Sequence, residues 1–308
     1  MKPIEAIIAP YLADPADGSP LTYSNSVYIG ADRGYPVIRS VPRFVETDNY
    51  VDSFSFEWNY YRKELMQTNR KSTEREFVTR TGFTEEELKG ALVLDAGVGA
   101  GRIAEIAADW GANVVGTDLS YSVDAAHELV GSRPNIWLAQ ADILKMPFKP
   151  ETFDVIFSWG VLHHTPDTRA FFEKLVTLLK PGGTIAIWVY PDIGAYAARK
   201  PWVNFINRLP PKAYHDWCVW FMKLALKYKG SKLLNSLWQI FPYPRDDRGI
   251  EWNTLDLFDS YSPKFHGIHS EAEVKEWFEA AGLVDVYSPN PADPTCMRGK
   301  KPLHAALK

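Results

Sequence analysis

The run Leu92-Val93-Leu94-Asp95-Ala96-Gly97-Val98-Gly99-Ala100-Gly101-Arg102 restricts this chain more than any other stretch. Its apolar beginning predicts a buried strand over Ala91 to Ala96, and a helix is expected from Arg102 to Trp110. Between them, three glycines at alternate positions let the backbone turn sharply and leave no side chain between it and a bound molecule. The helix that follows offers unpaired N–H groups and the positive end of its dipole at the same place. Strand, glycine turn and helix in that order predict a nucleotide-cofactor site.

A dinucleotide fold asks for G-x-G-x-x-G, with a small third residue packing helix against strand. Counted from Gly97 and Gly99, that third position is Arg102, too large for the role. The glycines run G-x-G-x-G instead, and Asp95 closes the strand before them. Asp118 follows the next strand, Asn113 to Thr117, where a ribose-binding carboxylate belongs. Downstream, strands are expected over Ile136 to Ala141, Phe153 to Ser158 and Thr184 to Tyr190. Helices lie between them: Ser120 can cap one that ends at Gly131, and Asp167 one over Thr168 to Leu179. Lys180-Pro181-Gly182-Gly183 is expected to stop the latter. Alternation of this kind is the mark of a parallel sheet.

At this point the chain resembles the class I S-adenosylmethionine (SAM) dependent methyltransferases. The resemblance is close over 88–189, looser from Ser270, and rests on four ordered motifs: the glycine loop with Asp95, the acid Asp118, the pair Asp142-Ile143, and Leu162-His163-His164 followed by Lys180-Pro181-Gly182-Gly183. It implies a Rossmann-like α/β fold, a mainly parallel seven-stranded sheet with helices on both faces, and SAM as cofactor. Carried over, Gly97, Gly99 and Gly101 allow close approach to the methionine and ribose portion and Asp95 faces the methionine ammonium. Asp118 takes the ribose hydroxyls, and Asp142 and Ile143 hold adenine. Arg102, Leu119 and Ser158 complete the expected cofactor contacts.

Residues 1–52 form an arm rich in Pro, Gly, Asp and Tyr, which predicts small strands and turns rather than helices. Its stretch 34–45 resembles the end of the zinc-ribbon module that precedes some methyltransferases, but the paired cysteines are missing and no metal is carried over. The core is expected over 53–190, opening with helical segments. Among these, 71–81 is charged and reads as a solvated helix, and Thr84 to Leu88 as a capped turn. In related methyltransferases such an N-terminal helix folds over the cofactor, which makes Trp58 and Tyr61 candidate substrate contacts. An insertion, 191–268, follows. Between Arg199 and Arg248 it holds ten Lys and Arg against three Asp, a local +7 in a chain of net charge −4, so the remainder carries −11. Trp217, Trp220, Phe221, Leu224 and Tyr228 there trace one amphipathic helix, and Leu233, Leu237 and Phe241 continue a second. Two readings stand side by side: a helical cap that buries its own stripe, or a lid whose basic, aromatic surface receives an acidic or lipid-like acceptor or touches a membrane surface. Residues 269–308 return to the core through a capped helix from Ser270 and two strands.

For the chemistry, His163 and His164 lie at the carboxyl end of the fourth strand, and histidine is the usual side chain for taking a proton near neutrality. His164 is the preferred base. Tyr261 and His266, on the segment returning from the lid, are the further acceptor-side candidates. The expected activity is methyl transfer to an oxygen or nitrogen of a small molecule. An enzyme of this fold that uses a modified SAM, or an RNA methyltransferase drawn to the basic lid, are the alternatives. DNA is not expected: the N-P-P-Y type motif for planar amino groups is absent, and Ser158-Trp159-Gly160-Val161 stands in its place. Two cysteines, Cys218 and Cys296, leave no cysteine-rich zinc site or disulfide framework. With no leader-like or bilayer-length apolar run, a cytoplasmic protein is the expectation.

Overall fold

A computed structural model describes residues 2–45, 70–193, 209–228 and 249–303. The chain opens with α1 (Pro3–Ile8) and a single 3-10 turn to Tyr11, not with the strands expected there. Pro3 starts the helix where its missing N–H is not needed, and Ile4 and Ile8, one turn apart, are both fully buried in the main core. Then come β1 (Thr22–Ser24), β2 (Val27–Ile29), β3 (Gly34–Ile38) and β4 (Val41–Pro42), an antiparallel meander. It meets the main sheet through Phe44, whose N–H donates to the Gln140 carbonyl at 2.8 Å.

The helix α2 (Arg70–Thr81) is less solvated than its charges suggest. Thr73, Phe77 and Thr81, spaced four apart, form a buried stripe, and the Phe77 ring meets Phe157 edge-on at 5.2 Å. One large aromatic on the inner side anchors an otherwise charged helix to the sheet. In α3 (Glu85–Leu88) the expected cap is realised in both directions, Thr84 Oγ accepting from the Glu87 N–H and Glu87 from the Thr84 N–H.

Strands and helices then alternate: β5 (Leu92–Ala96), α4 (Arg102–Asp109), β6 (Asn113–Asp118), α5 (Ser122–Val130), β7 (Ile136–Gln140), β8 (Phe153–Trp159), α6 (Thr168–Leu178) and β9 (Leu179–Trp188). The cap helices α7 (Pro211–Lys227) and α8 (Ile250–Asp259) follow, then α9 (Glu271–Ala280), β10 (Val284–Tyr287) and β11 (Cys296–Lys300). The seven-stranded sheet has the order β10-β11-β9-β8-β5-β6-β7; β5 to β9 are parallel and β10 and β11 antiparallel. Strands β5 and β7 are buried along their whole length because helices and the arm cover both faces.

Lys180-Pro181-Gly182-Gly183 does not separate α6 from its strand but lies within β9. The pairing jumps from Phe153↔Leu179 to Val155↔Thr184, so the motif is a bulge. Lys180 Nζ reaches Asp154 at 2.8 Å, and the Lys301 N–H donates to the Gly183 carbonyl. The cap has its own small core of Tyr214, Cys218, Met222, Phe258 and Tyr261 between α7 and α8. α8 has no counterpart in the sequence reading, and the expected helix over Leu233 to Phe241 lies outside the described residues. Among the described residues, no helix is long and apolar enough to cross a membrane.

Truncating the anchor of α2, Phe77→Ala, is expected to destabilise the protein by about 3–5 kcal/mol, read as a shift of the urea unfolding midpoint with an unchanged slope.

Candidate active site

Winding reverses between β5 and β8, and in an open sheet of this kind ligands bind beyond the strand ends at that reversal. The Ser158 hydroxyl ties the two strands together there, donating to the Ala96 carbonyl at 2.8 Å. From β5 the glycine loop leaves under strict control: the Thr117 carbonyl accepts from the N–H groups of both Gly97 and Val98, at 2.8 and 2.9 Å. Gly97 has φ +95 and Gly101 φ +86. A Cβ on Gly97 would stand 2.2 Å from Val161 Cγ2, so no larger residue fits between this loop and the one after β8. Above the loop lies the cap. Leu255 of α8 packs on Ala100, and the guanidinium of Arg102 sits 4.7 Å from the ring centroid of Trp252.

Asp118 is half-buried at the end of β6. Its Oδ2 accepts from the Gly99 N–H at 3.0 Å, and its Oδ1 from the N–H and hydroxyl of Ser120 at 2.9 and 2.7 Å. Ser120 therefore serves the carboxylate and the Ser122 N–H rather than standing as the residue next to the helix. Burial raises the pKa of Asp118 against those bonds. Asp95 is buried outright, and among the described residues its Oδ2 has no hydrogen-bond partner. Burial first, and the neighbouring Asp118 charge second, push its pKa well above the usual carboxylate range, opposed by the Ala104 N–H. At the end of β7, Asp142 accepts from the Leu144 N–H at 2.9 Å, and Ile143 is buried in the core. The Leu119 carbonyl accepts from Gln140 Nε2 at 2.9 Å, and Gln140 in turn from Arg43 of the arm at 3.3 Å.

On the other side of the reversal, Leu162–His164 forms a 3-10 turn. His163 is fully buried and stacks on Tyr190 with centroids 3.7 Å apart; among the described residues neither of its ring nitrogens has a hydrogen-bond partner. His164 Nδ1 lies 3.0 Å from the Phe265 carbonyl. A carbonyl can only accept, so Nδ1 carries the proton and Nε2 the lone pair. Burial lowers both pKa values, that of His163 well below its ordinary value and that of His164 to about 3, so both rings are neutral at physiological pH.

Of the acceptor-side candidates, the fold brings His163, His164 and His266 together around Tyr190, with the His266 ring 5.8 Å from His164 and 5.0 Å from Tyr190. Tyr261 is fully buried in the cap's own core. Trp58 and Tyr61 lie outside the described residues. Tyr190, Trp188 and Arg80, whose guanidinium stands 3.8 Å from the Trp188 ring centroid, were not singled out from sequence. The signal for the first two was their place at the carboxyl end of the fifth strand. Arg80 had none, because the charged periodicity of α2 does not show which side meets the sheet.

A doubly wound sheet with a glycine loop and two acids at successive strand ends defines a Rossmann-like fold built to hold a nucleotide cofactor. Residues 94–187 match the family described as a methyltransferase domain. Phosphoethanolamine N-methyltransferase 2 of Caenorhabditis elegans is 29% identical over 186 residues, 47% of this chain and 42% of that one. A ubiquinone biosynthesis O-methyltransferase of Paraburkholderia phymatum is 30% identical over 178 residues, 54% of this chain and 71% of that one. Among solved structures, phosphoethanolamine N-methyltransferase 2 of Haemonchus contortus, in complex with phosphomonomethylethanolamine and S-adenosylhomocysteine, matches at 19% identity with a TM-score of 0.48, covering 80% of this chain and 47% of that one. The chain belongs to the class I SAM-dependent methyltransferases, whose cofactor is SAM. It spans less than half the length of the C. elegans relative.

Two outcomes follow from the loop and its acid. Gly97→Ala is expected to cost about 1–3 kcal/mol in backbone strain plus the clash with Val161. Val161→Ala in the same chain should recover the clash but not the strain, which a double-mutant cycle in urea separates. Asp95 has a folded pKa above its unfolded one, so its contribution is favourable only at low pH and is lost as pH rises above the unfolded value near 4. Asp95→Asn should therefore stabilise the ligand-free protein by about 1 kcal/mol or more at pH 7, with the gain shrinking toward pH 4.

Proposed function

We propose that this protein is a SAM-dependent methyltransferase that transfers a methyl group to an oxygen or nitrogen of a small-molecule acceptor. The observation that carries the reading is a buried oxygen of Asp95 with no donor among the described residues, beside a loop in which a Cβ on Gly97 would run into Val161. The residues present fit the cofactor: Asp95 is an acceptor in want of an ammonium or a bridging water, and Asp118 accepts from ribose hydroxyls alongside its own loop bonds. Asp142 takes the adenine amine, Ile143 covers the ring, and Leu119 and Arg102 border the site. Ser158 contributes by holding β5 to β8. Bound there, SAM supplies a methyl on a sulfonium that a nucleophile attacks directly.

The chain's own part is alignment, exclusion of water and removal of a proton. His164 presents Nε2 as an acceptor, fixed in that tautomer by the Phe265 carbonyl, and receives a hydrogen bond from the acceptor's O–H or N–H as it reacts. A pKa of about 3 makes it a weak proton sink, so its main work is orientation, with His163 and His266 completing the wall. The local +7 of the insertion supports an acidic acceptor. Phosphoethanolamine and a ubiquinone precursor, after the relatives, are the first two to try.

Calorimetry with S-adenosylhomocysteine tests the cofactor half: Asp118→Ala should weaken binding at least tenfold, from the loss of charge-assisted bonds. Transfer of label from methyl-labelled SAM to the two acceptors tests the rest. His164→Asn should lower kcat by about 5- to 100-fold, the worth of one orienting hydrogen bond, and leave S-adenosylhomocysteine affinity unchanged. With a ring already neutral, the rate should lack a histidine-type break between pH 8 and 5. A wild-type chain that binds no S-adenosylhomocysteine overturns the proposal. Binding of a modified SAM alone, or labelling of RNA alone, replaces it with one of the alternatives.

A further inference from the structure

Helix α7 has two apolar sides, and among the described residues only one of them is covered. Tyr214, Cys218, Phe221, Met222 and Ala225 close the cap's core against α8. On the outward side Trp220 is 59% exposed, Leu224 38% and Tyr228 48%, at successive steps of four residues. Large apolar side chains aligned in this way are not the scattered exposure that any surface shows. Beside them stand Lys212, Lys223 and Lys227, all exposed, against the single acid Asp216, which Lys212 pairs at 3.2 Å. The Lys227 Nζ lies 5.3 Å from the Tyr228 ring centroid.

We propose that the outer side of α7 rests on an anionic lipid surface. The chemistry is that of an interfacial helix. Trp220 and Tyr228 are amphipathic rings suited to the headgroup level, Leu224 reaches the acyl boundary, and the lysines extend their stems over apolar surface while their ammonium groups meet lipid phosphates. Charge selects this occupant. In a chain of net charge −4, the side of α7 that carries Lys212, Lys223 and Lys227 is the one suited to face such a surface. A second copy of the chain would bring like charge against like charge over the same patch.

The stacking order gives the contact its meaning. From outside inward come α7, then α8, then the glycine loop that Leu255 and Trp252 touch. A lipid-like acceptor carried in the bilayer would thus meet the protein on its cofactor side. This last step rests on the proposed activity; the lipid contact itself does not.

The test is co-sedimentation of the full chain with vesicles of phosphatidylcholine alone and of equal parts phosphatidylcholine and phosphatidylglycerol. Binding is expected on the mixed vesicles only and should fall with added salt. Each of Lys223→Gln and Lys227→Gln should lower the partition coefficient about fivefold. Trp220→Ser combined with Leu224→Ser should lower it at least tenfold, while the urea midpoint stays at the parent value because both side chains are exposed. No binding to the mixed vesicles, equal binding to both kinds, or binding that these variants leave untouched would overturn the proposal. A dimer in solution that the Trp220→Ser, Leu224→Ser variant dissociates would assign the patch to a second copy and overturn it equally. Since S-adenosylhomocysteine binding is measured separately, loss of the lipid contact and loss of the methyltransferase reading are distinct outcomes.

Discussion

Two carboxylates, Asp95 and Asp118, sit at the ends of adjacent strands in an environment that burial makes unfavourable for either charge. The loop between β5 and α4 is shaped by the way this is relieved. Asp118 is given three donors, one of them from the glycine loop itself. Among the described residues, Asp95 keeps an oxygen without one. The same carbonyl of Thr117 that holds Gly97 and Val98 sets how closely that loop approaches the acids. Stability given up at this point is what a ligand with positive charge and hydroxyl donors restores, so the protein is expected to be more rigid and more stable when its cofactor is bound.

Around this centre the arm and the cap act as two braces of different kinds. The arm works through backbone and charge: Arg43 reaches Gln140 at the end of β7 and pairs with Asp124 of α5, while Phe44 extends the hydrogen bonding of the sheet. The cap works through aromatic and apolar contact, Trp252 on Arg102 and Leu255 on Ala100. The turn with His163 and His164 is built differently again, from neutral rings. A histidine stacked on Tyr190 and another fixed by a backbone carbonyl make a wall that offers lone pairs and no charge.

How much of this was legible in the sequence depends on how local the deciding forces are. Most strands and helices over 92–178 were readable because they are bounded by a glycine, cap or acid of their own; the caps at Thr84, Asp167 and Ser270 form as expected, and the one expected at Ser120 does not. Where tertiary contact decides, the reading failed. Pro3–Ile8 is a helix because two isoleucines find the main core, and α2 is anchored by one phenylalanine among charges. Lys180-Pro181-Gly182-Gly183 looks like a break, yet β8 and β11 on either side draw it into the sheet as a bulge. The cofactor acids were visible as residues, but the orphaned oxygen of Asp95 and the tautomer of His164 follow only from neighbours far away in the chain, Asp118 and Phe265.

The contact between α8 and the glycine loop has a thermodynamic corollary. Leu255 and Trp252 belong to the cap, whereas Ala100 and Arg102 belong to the glycine loop. On the proposed function, an acceptor that shifts the cap would therefore also change the free energy of the loop. Linkage then requires reciprocity: whatever factor the acceptor applies to cofactor affinity, the cofactor applies to acceptor affinity. The coupling would run through two contacts, one apolar between Leu255 and Ala100 and one between the Arg102 guanidinium and the Trp252 ring.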